Sequence, residues 1–149
     1  MTFMDLTTQH PRSANEMMAG LVSLARMTDK ARASIDGTLG DYHFDCPHDA
    51  PLLAFLGVSA PDFAQHVRDL QSDEKIEAWV RDDLLKSKTP AQIAEFNESR
   101  SAWRPDAGSP SAEYFEGLRT QVAPGRSDIV TWFDVLDLDE GRTVAHAHA

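Results

Sequence analysis

The chain has 149 residues, 42% hydrophobic and 26% charged, ordinary globular values that fit one domain able to bury roughly two-thirds of its unfolded surface. Fourteen Lys and Arg stand against 24 Asp and Glu, a net charge of −10, and the basic residues are scattered singly between acids, which disfavours nucleic acid as a partner. Cys46 is the only cysteine, no apolar run approaches the ~20 residues of a membrane helix, and Met-Thr-Phe-Met-Asp has no signal-like region, so a cytoplasmic protein without disulfides or membrane contact is expected.

Residues 1–12 read as a polar, extended lead-in that contains Asp5-Leu-Thr-Thr-Gln-His-Pro-Arg12. Thr7, Thr8, Gln9, His10 and Arg12 crowd hydrogen-bonding groups there. They either satisfy the start of the following helix or, with Arg12 at its positive end, hold a carboxylate or phosphate. A long helix is predicted from Ser13 to about Asp36, the element around which the rest is organised. Ser13 and Glu16 make an S-x-x-E capping box, Pro11 stands just outside, and Gly37 offers a left-handed end. Met17, Leu21, Leu24, Thr28, Ala31 and Ile35 form one stripe, with Met18, Val22 and Ala25 as a second row, so the helix is expected to be covered on more than one side. Asp29 and Arg32 fall among these rows, whereas Arg26 and Lys30 point away toward solvent. Buried charges at this spacing must pair, because an isolated one costs several kcal/mol. The pair is therefore a structural brace or the lining of a polar pocket.

Residues 38–49 are the least regular stretch, with alternating Tyr42, Phe44 and Cys46. Asp49 is placed to cap a short helix on Leu52, Leu53, Phe55 and Leu56, closed by Gly57. Ser59, Pro61 and Asp62 start the next, running to about Leu70 on Phe63 and Val67. Ser72 caps another, with Asp73 and Glu74 complementing its dipole and Ile76, Trp79, Val80 and Leu84 as its apolar face. Thr89-Pro90-x-Gln92 is a further capping box, continued by Ile93, Phe96 and Trp103. A turn-rich loop follows at 104–110, then a helix from Ser111 to about Val122 that Pro124-Gly125 ends. Asp128 opens a segment whose Ile129, Trp132, Phe133 and Leu136 fit a helix better than a strand, although the composition suits both. A frayed tail is expected at 143–149. The fold class is all-α: an irregular single-domain bundle of six or seven short helices around a long first helix.

Three long phrases and one short one carry a resemblance. They are Asp5-Leu-Thr-Thr-Gln-His-Pro-Arg-Ser-Ala14; Leu24-Ala-Arg-Met-Thr-Asp-Lys-Ala-Arg-Ala33, with Gly37 and Gly40-Asp-Tyr42 after it; Pro124-Gly-Arg-Ser-Asp-Ile-Val-Thr-Trp-Phe-Asp-Val-Leu-Asp-Leu-Asp-Glu-Gly-Arg142; and Leu52-Leu-Ala-Phe-Leu-Gly57. Together they resemble the bacterial domain-of-unknown-function 5069 family over nearly the whole chain. The resemblance implies a single-domain, stand-alone bacterial protein. It brings no activity, cofactor or catalytic residue with it.

Other constellations compete. His43, Cys46 and His48 could serve zinc, with His10 or His66 as further ligands, but H-x2-C-x-H is no standard spacing, and a cysteine beside Pro47 is commonly a small buried hydrophobe. A nucleophilic Cys46 would need an electropositive surround, and its sequence neighbours are Asp41, Asp45 and Asp49. Asp134, Asp137, Asp139 and Glu140 match a calcium loop only in part and read better as a solvated helix end, with Arg126 and Arg142 as partners. Trp79, Trp103 and Trp132 sit at helical spacing and suit packing.

Three functional expectations follow. The first is a small-molecule-binding protein or small enzyme with a pocket between the lead-in and the first helix, where His10, Asp29 and Tyr42 would be catalytic, Arg12 and Arg32 would hold an anion, and Trp132 would close one side. The second is a non-enzymatic homodimeric interaction module using exposed Trp79 and Trp103. The third is a metal-dependent enzyme using His43, Cys46 and His48. Cofactor, substrate and reaction stay open.

Overall fold

The computed structural model describes residues 4–145. Among them are seven α-helices: α1 (Leu24–Asp36), α2 (Ala50–Leu56), α3 (Ala60–Leu70), α4 (Asp73–Trp79), α5 (Pro90–Ser101), α6 (Pro110–Val122) and α7 (Trp132–Asp139). A π-helical turn, Val80–Leu84, continues α4. No strand occurs among the described residues, so the chain is all-α. Residues 146–149 of the expected tail lie outside the described ones.

The first helix is shorter than its periodicity predicts. It begins at Leu24 and has 13 residues, as many as α6. Residues 13–23 fold into turns instead. Ser13 Oγ accepts from the Asn15 N–H at 3.1 Å, one residue short of the expected box. Ala19, Gly20 and Ser23 all take positive φ, at 53°, 76° and 71°, which no right-handed helix can contain. Met18 and Leu21 exchange both backbone hydrogen bonds across this turn, at 3.1 and 3.0 Å. Leu21 and Val22 are thereby buried, while Met17, first in the expected stripe, is 54% exposed.

Where start and stop signals are local, the helices follow them. Gly37 closes α1 at φ 72°, and the Thr38 N–H reaches back to the Ala33 carbonyl at 2.8 Å. Ser59 and Ser72 cap α3 and α4 by accepting from the N–H groups of Asp62 and Lys75. Thr89 and Gln92 form the reciprocal box that opens α5, at 3.1 and 2.8 Å. Ser109 and Thr131 cap α6 and α7, so α7 starts at Trp132, later than Asp128.

The chain divides into two compact units, residues 1–94 and 95–149. In the first, α1 packs on α3 and α3 on α4. Leu24, Met27, Leu52, Phe63, Val67, Ile76 and Val80 are among its buried core side chains. Phe63 is central, and its deletion to Ala is worth about 3–5 kcal/mol. All of Leu24–Ala33 is buried, Arg26 and Lys30 included, so those two do not point to solvent. In the second unit α6 packs on α7 around Phe115, Ala123, Ile129, Trp132 and Val135. Of the acids at its end only Asp139 is exposed: Asp134, Asp137 and Glu140 are buried, and Arg142 bridges Asp137 and Glu140 at 3.3 and 2.6 Å. Arg126 pairs with Asp128, and the charge of Asp134 also acts on it.

Candidate functional site

The lead-in is tied to the loop after α1 by backbone. The Leu6 N–H donates to the Thr38 carbonyl at 2.8 Å, and the Thr38 hydroxyl donates to the Met4 carbonyl at 2.7 Å. Gly40 sits against this strap so closely that a Cβ there would lie 2.8 Å from the Leu6 carbonyl oxygen. This fixes where Arg12 enters the core.

Arg12 meets α1 and α4 at once. Its Nε and Nη2 donate to the two oxygens of Asp29 at 3.1 and 3.0 Å, and its own backbone N–H adds a third bond at 2.9 Å. Its Nη1 donates to Asp73, the first residue of α4, at 2.8 Å. Arg32 completes the square, 3.6 Å from Asp29 and 2.9 Å from Asp73, and donates to the Gln71 carbonyl at 2.9 Å. Two arginines and two carboxylates neutralise one another, with Asp29 and Arg32 almost fully buried and Asp73 partly exposed. Burial works against charge on Arg12, but hydrogen bonds to Asp29 and Asp73 and their charge outweigh it and hold its pKa above the ordinary value. Burial likewise pushes the Asp73 carboxyl up, yet bonds from Arg12 and Arg32 carry it below the usual carboxylate range. Asp29 accepts so many bonds from arginine that its lone pairs serve a brace. The brace fixes the start of α4 to α1.

His10 and Tyr42 pair beside the brace, Nδ1 to hydroxyl at 2.7 Å, with His10 exposed. Arg26 links the two groups: its guanidinium lies 5.7 Å from the Tyr42 ring centre and donates to the Arg12 carbonyl at 3.3 Å. Thus His10, Arg12, Asp29, Arg32 and Tyr42 are gathered in one region of the first unit. Trp132 belongs to the second unit, where its ring meets Trp103, Phe115 and Tyr114 at 5.9, 5.1 and 6.4 Å. In the sequence Asp73 stands out only as a helix-start acid, because its partners Arg12 and Arg32 are distant along the chain.

Behind α1 lies a second cluster. Lys30 Nζ is 2.9 Å from Asp49 Oδ2 and 3.4 Å from Cys46 Sγ. The cation missing from the sequence surroundings of Cys46 is therefore Lys30. Asp49 stands at the N-cap position of α2 but caps it without its side chain; the carboxylate accepts from the Asp45 and Cys46 N–H groups at 3.0 and 3.3 Å. Among the described residues no three of His, Cys, Asp and Glu are placed to hold a metal ion.

The third feature is concave. An open trough of about 460 Å³ is lined by His66, Leu70, Lys75, Ala78, Trp79, Asp82 and Asp83. His66 and Trp79 stack at 4.1 Å with planes 5° apart. Trp79 leans on Phe63 at 5.9 Å, and Phe63 on Phe44 at 6.3 Å, so the floor is anchored in the core. His66 Nδ1 lies 2.8 Å from the Asp62 carbonyl oxygen, which can only accept, so Nδ1 carries the proton there. The π-turn carries Asp82 and Asp83, and its i to i+5 bond, Leu85 N–H to Val80 carbonyl at 2.8 Å, sets their direction. Such turns concentrate at functional sites.

A family model described as a domain of unknown function, DUF5069, matches residues 8–142. The chain belongs to that family. The match takes in the lead-in from Thr8, the brace residues and the trough, so the DUF5069 domain contains all three features. No curated protein matches the chain. No helix among the described residues is long and apolar enough to cross a membrane.

Proposed function

We propose that this DUF5069 protein binds a small organic cation, an amine on a flat or alkyl body, in the trough between α3, α4 and the π-turn. The observation that carries the reading is the stacked His66–Trp79 floor with Asp82 and Asp83 beside it. An aromatic floor with carboxylates at its edge suits a cation through ring attraction and charge together. The brace supports the site from below: it holds Asp73, and Asp73 begins the helix that carries Trp79. Arg12 and Arg32 are occupied by carboxylates of their own chain, so they serve this site as scaffold rather than as anchors for a ligand's anion. The test is a thermal-shift and calorimetric panel of small amines, with neutral isosteres as controls. Amines that bind wild type and lose at least tenfold in affinity to Asp82→Asn combined with Asp83→Asn support the reading. Neutral isosteres that bind equally well refute it.

A homodimeric module is the second reading, and it rests on Tyr114, 67% exposed on α6, rather than on Trp103, which lies under Arg100 at 4.2 Å. Light scattering of wild type and Tyr114→Ser discriminates the two.

A further inference from the structure

We infer that Cys46 and Lys30 close into a direct sulfur–nitrogen bridge, a sulfenamide, when the protein meets a hydroperoxide. The inference is independent of the trough. A buried amine faces a sulfur: Lys30 Nζ is 3.4 Å from Cys46 Sγ, and the Lys30 and Asp49 side chains are each only 4% exposed. Cys46 itself is only half-buried, unlike the Lys30 and Asp49 side chains beside it. The loop that carries it is fixed. Asp45 is held at φ 66°, Asp49 draws in the Asp45 and Cys46 N–H groups, and the Cys46 carbonyl accepts from Asp49 and Ala50 at 2.8 and 3.0 Å. The chain has no second cysteine, so an oxidised Cys46 has no thiol of its own chain to condense with. The group in reach is the Lys30 amine.

The step balances as follows. Cys46 Sγ attacks the outer oxygen of the hydroperoxide; the O–O bond breaks, sulfur is oxidised by two electrons to the sulfenic acid, and the peroxide is reduced to an alcohol or water that takes the thiol proton. Lys30 Nζ first gives up a proton to Asp49 Oδ2, 2.9 Å away, and the free amine then attacks the sulfur as the S–O bond breaks. Of the three ammonium protons, one passes to Asp49 Oδ2, one departs with the sulfenic oxygen as water, and one stays on the bridging nitrogen. The two side chains together lose two hydrogens. The bridge pins α1 to the loop before α2 and shields the sulfur from irreversible oxidation.

The experiment is peptide mapping by mass spectrometry of the full chain after brief treatment with hydrogen peroxide, with free thiols blocked before digestion. The expected product is a peptide pair joined through Lys30 and Cys46, lighter by two hydrogens than the sum, and separated again by dithiothreitol. Lys30→Arg keeps the charge but not the amine; there the bridge is lost and dimedone labels Cys46 instead. The wild-type map decides the matter even where a variant fails to fold. Cys46 recovered only as sulfenic or sulfinic acid with an unmodified Lys30 peptide overturns the inference, as does a bridge that retains an oxygen.

Discussion

Asp29→Asn removes one charge from the centre of the brace while changing shape little. The wild-type carboxylate accepts three hydrogen bonds from Arg12 at 2.9–3.1 Å and lies 3.6 Å from Arg32. An amide NH2 in place of one oxygen turns donors of Arg12 against a donor, and among the described residues Arg32, 5% exposed, keeps Asp73 as its charged partner. Breaking a buried pair by removing one member costs about 3–5 kcal/mol, a large part of a typical total of roughly 5–15. For a chain of this length, that corresponds to a fall in Tm on the order of 10 °C. Asp73→Asn removes a carboxylate that is 42% exposed and partly screened, so its cost is about 1 kcal/mol or less. Urea unfolding followed by circular dichroism measures both. Equal, small losses for the two variants would refute the placement of Asp29 at the centre of the brace.

Asp73 also sets a pH dependence. Its folded pKa is depressed, so its contribution is present above the unfolded carboxylate value, about 4, and is lost as pH falls through the lower folded value. Acid unfolding of wild type and Asp73→Asn should therefore converge below that range and differ above it; parallel curves would count against the pairing. Gly40→Ala forces a Cβ to 2.8 Å from the Leu6 carbonyl oxygen at φ 61°, and should cost about 1–3 kcal/mol and raise amide exchange at Leu6. Thr89→Ala removes the cap of α5 and should cost about 1 kcal/mol by urea titration, against no more than a few tenths if the box contributes nothing.

Helix starts marked by Ser59, Ser72 and Thr89 were legible because a cap and the N–H it accepts from lie within three residues. The start of α1 was not: Ser13, Glu16 and the stripe through Met17 satisfy the same rules, and only the left-handed backbone at Ala19 and Ser23, unusual for residues with a Cβ, diverts the chain. The pairing of Asp29 with Arg32 was legible from spacing on one helix, and Asp73, 61 residues from Arg12, was not. The burial of Lys30 is not legible in the sequence because periodicity identifies faces but not which loop covers them; the Asp45–Asp49 loop covers this one. His66, Asp82 and Asp83 were missed as a group because a π-turn rotates the acids off the helical register that sequence reading assumes.

The most direct test of the trough is a proton–nitrogen correlation spectrum of labelled protein during titration with a small aromatic amine. The chain has three tryptophans, and only the Trp79 indole lines the trough. Saturable movement of the Trp79 indole and of the His66 ring signals, with Trp103 and Trp132 still, is the expected result. Movement of Trp103 or Trp132 alone, or no saturable movement for any amine, would contradict it.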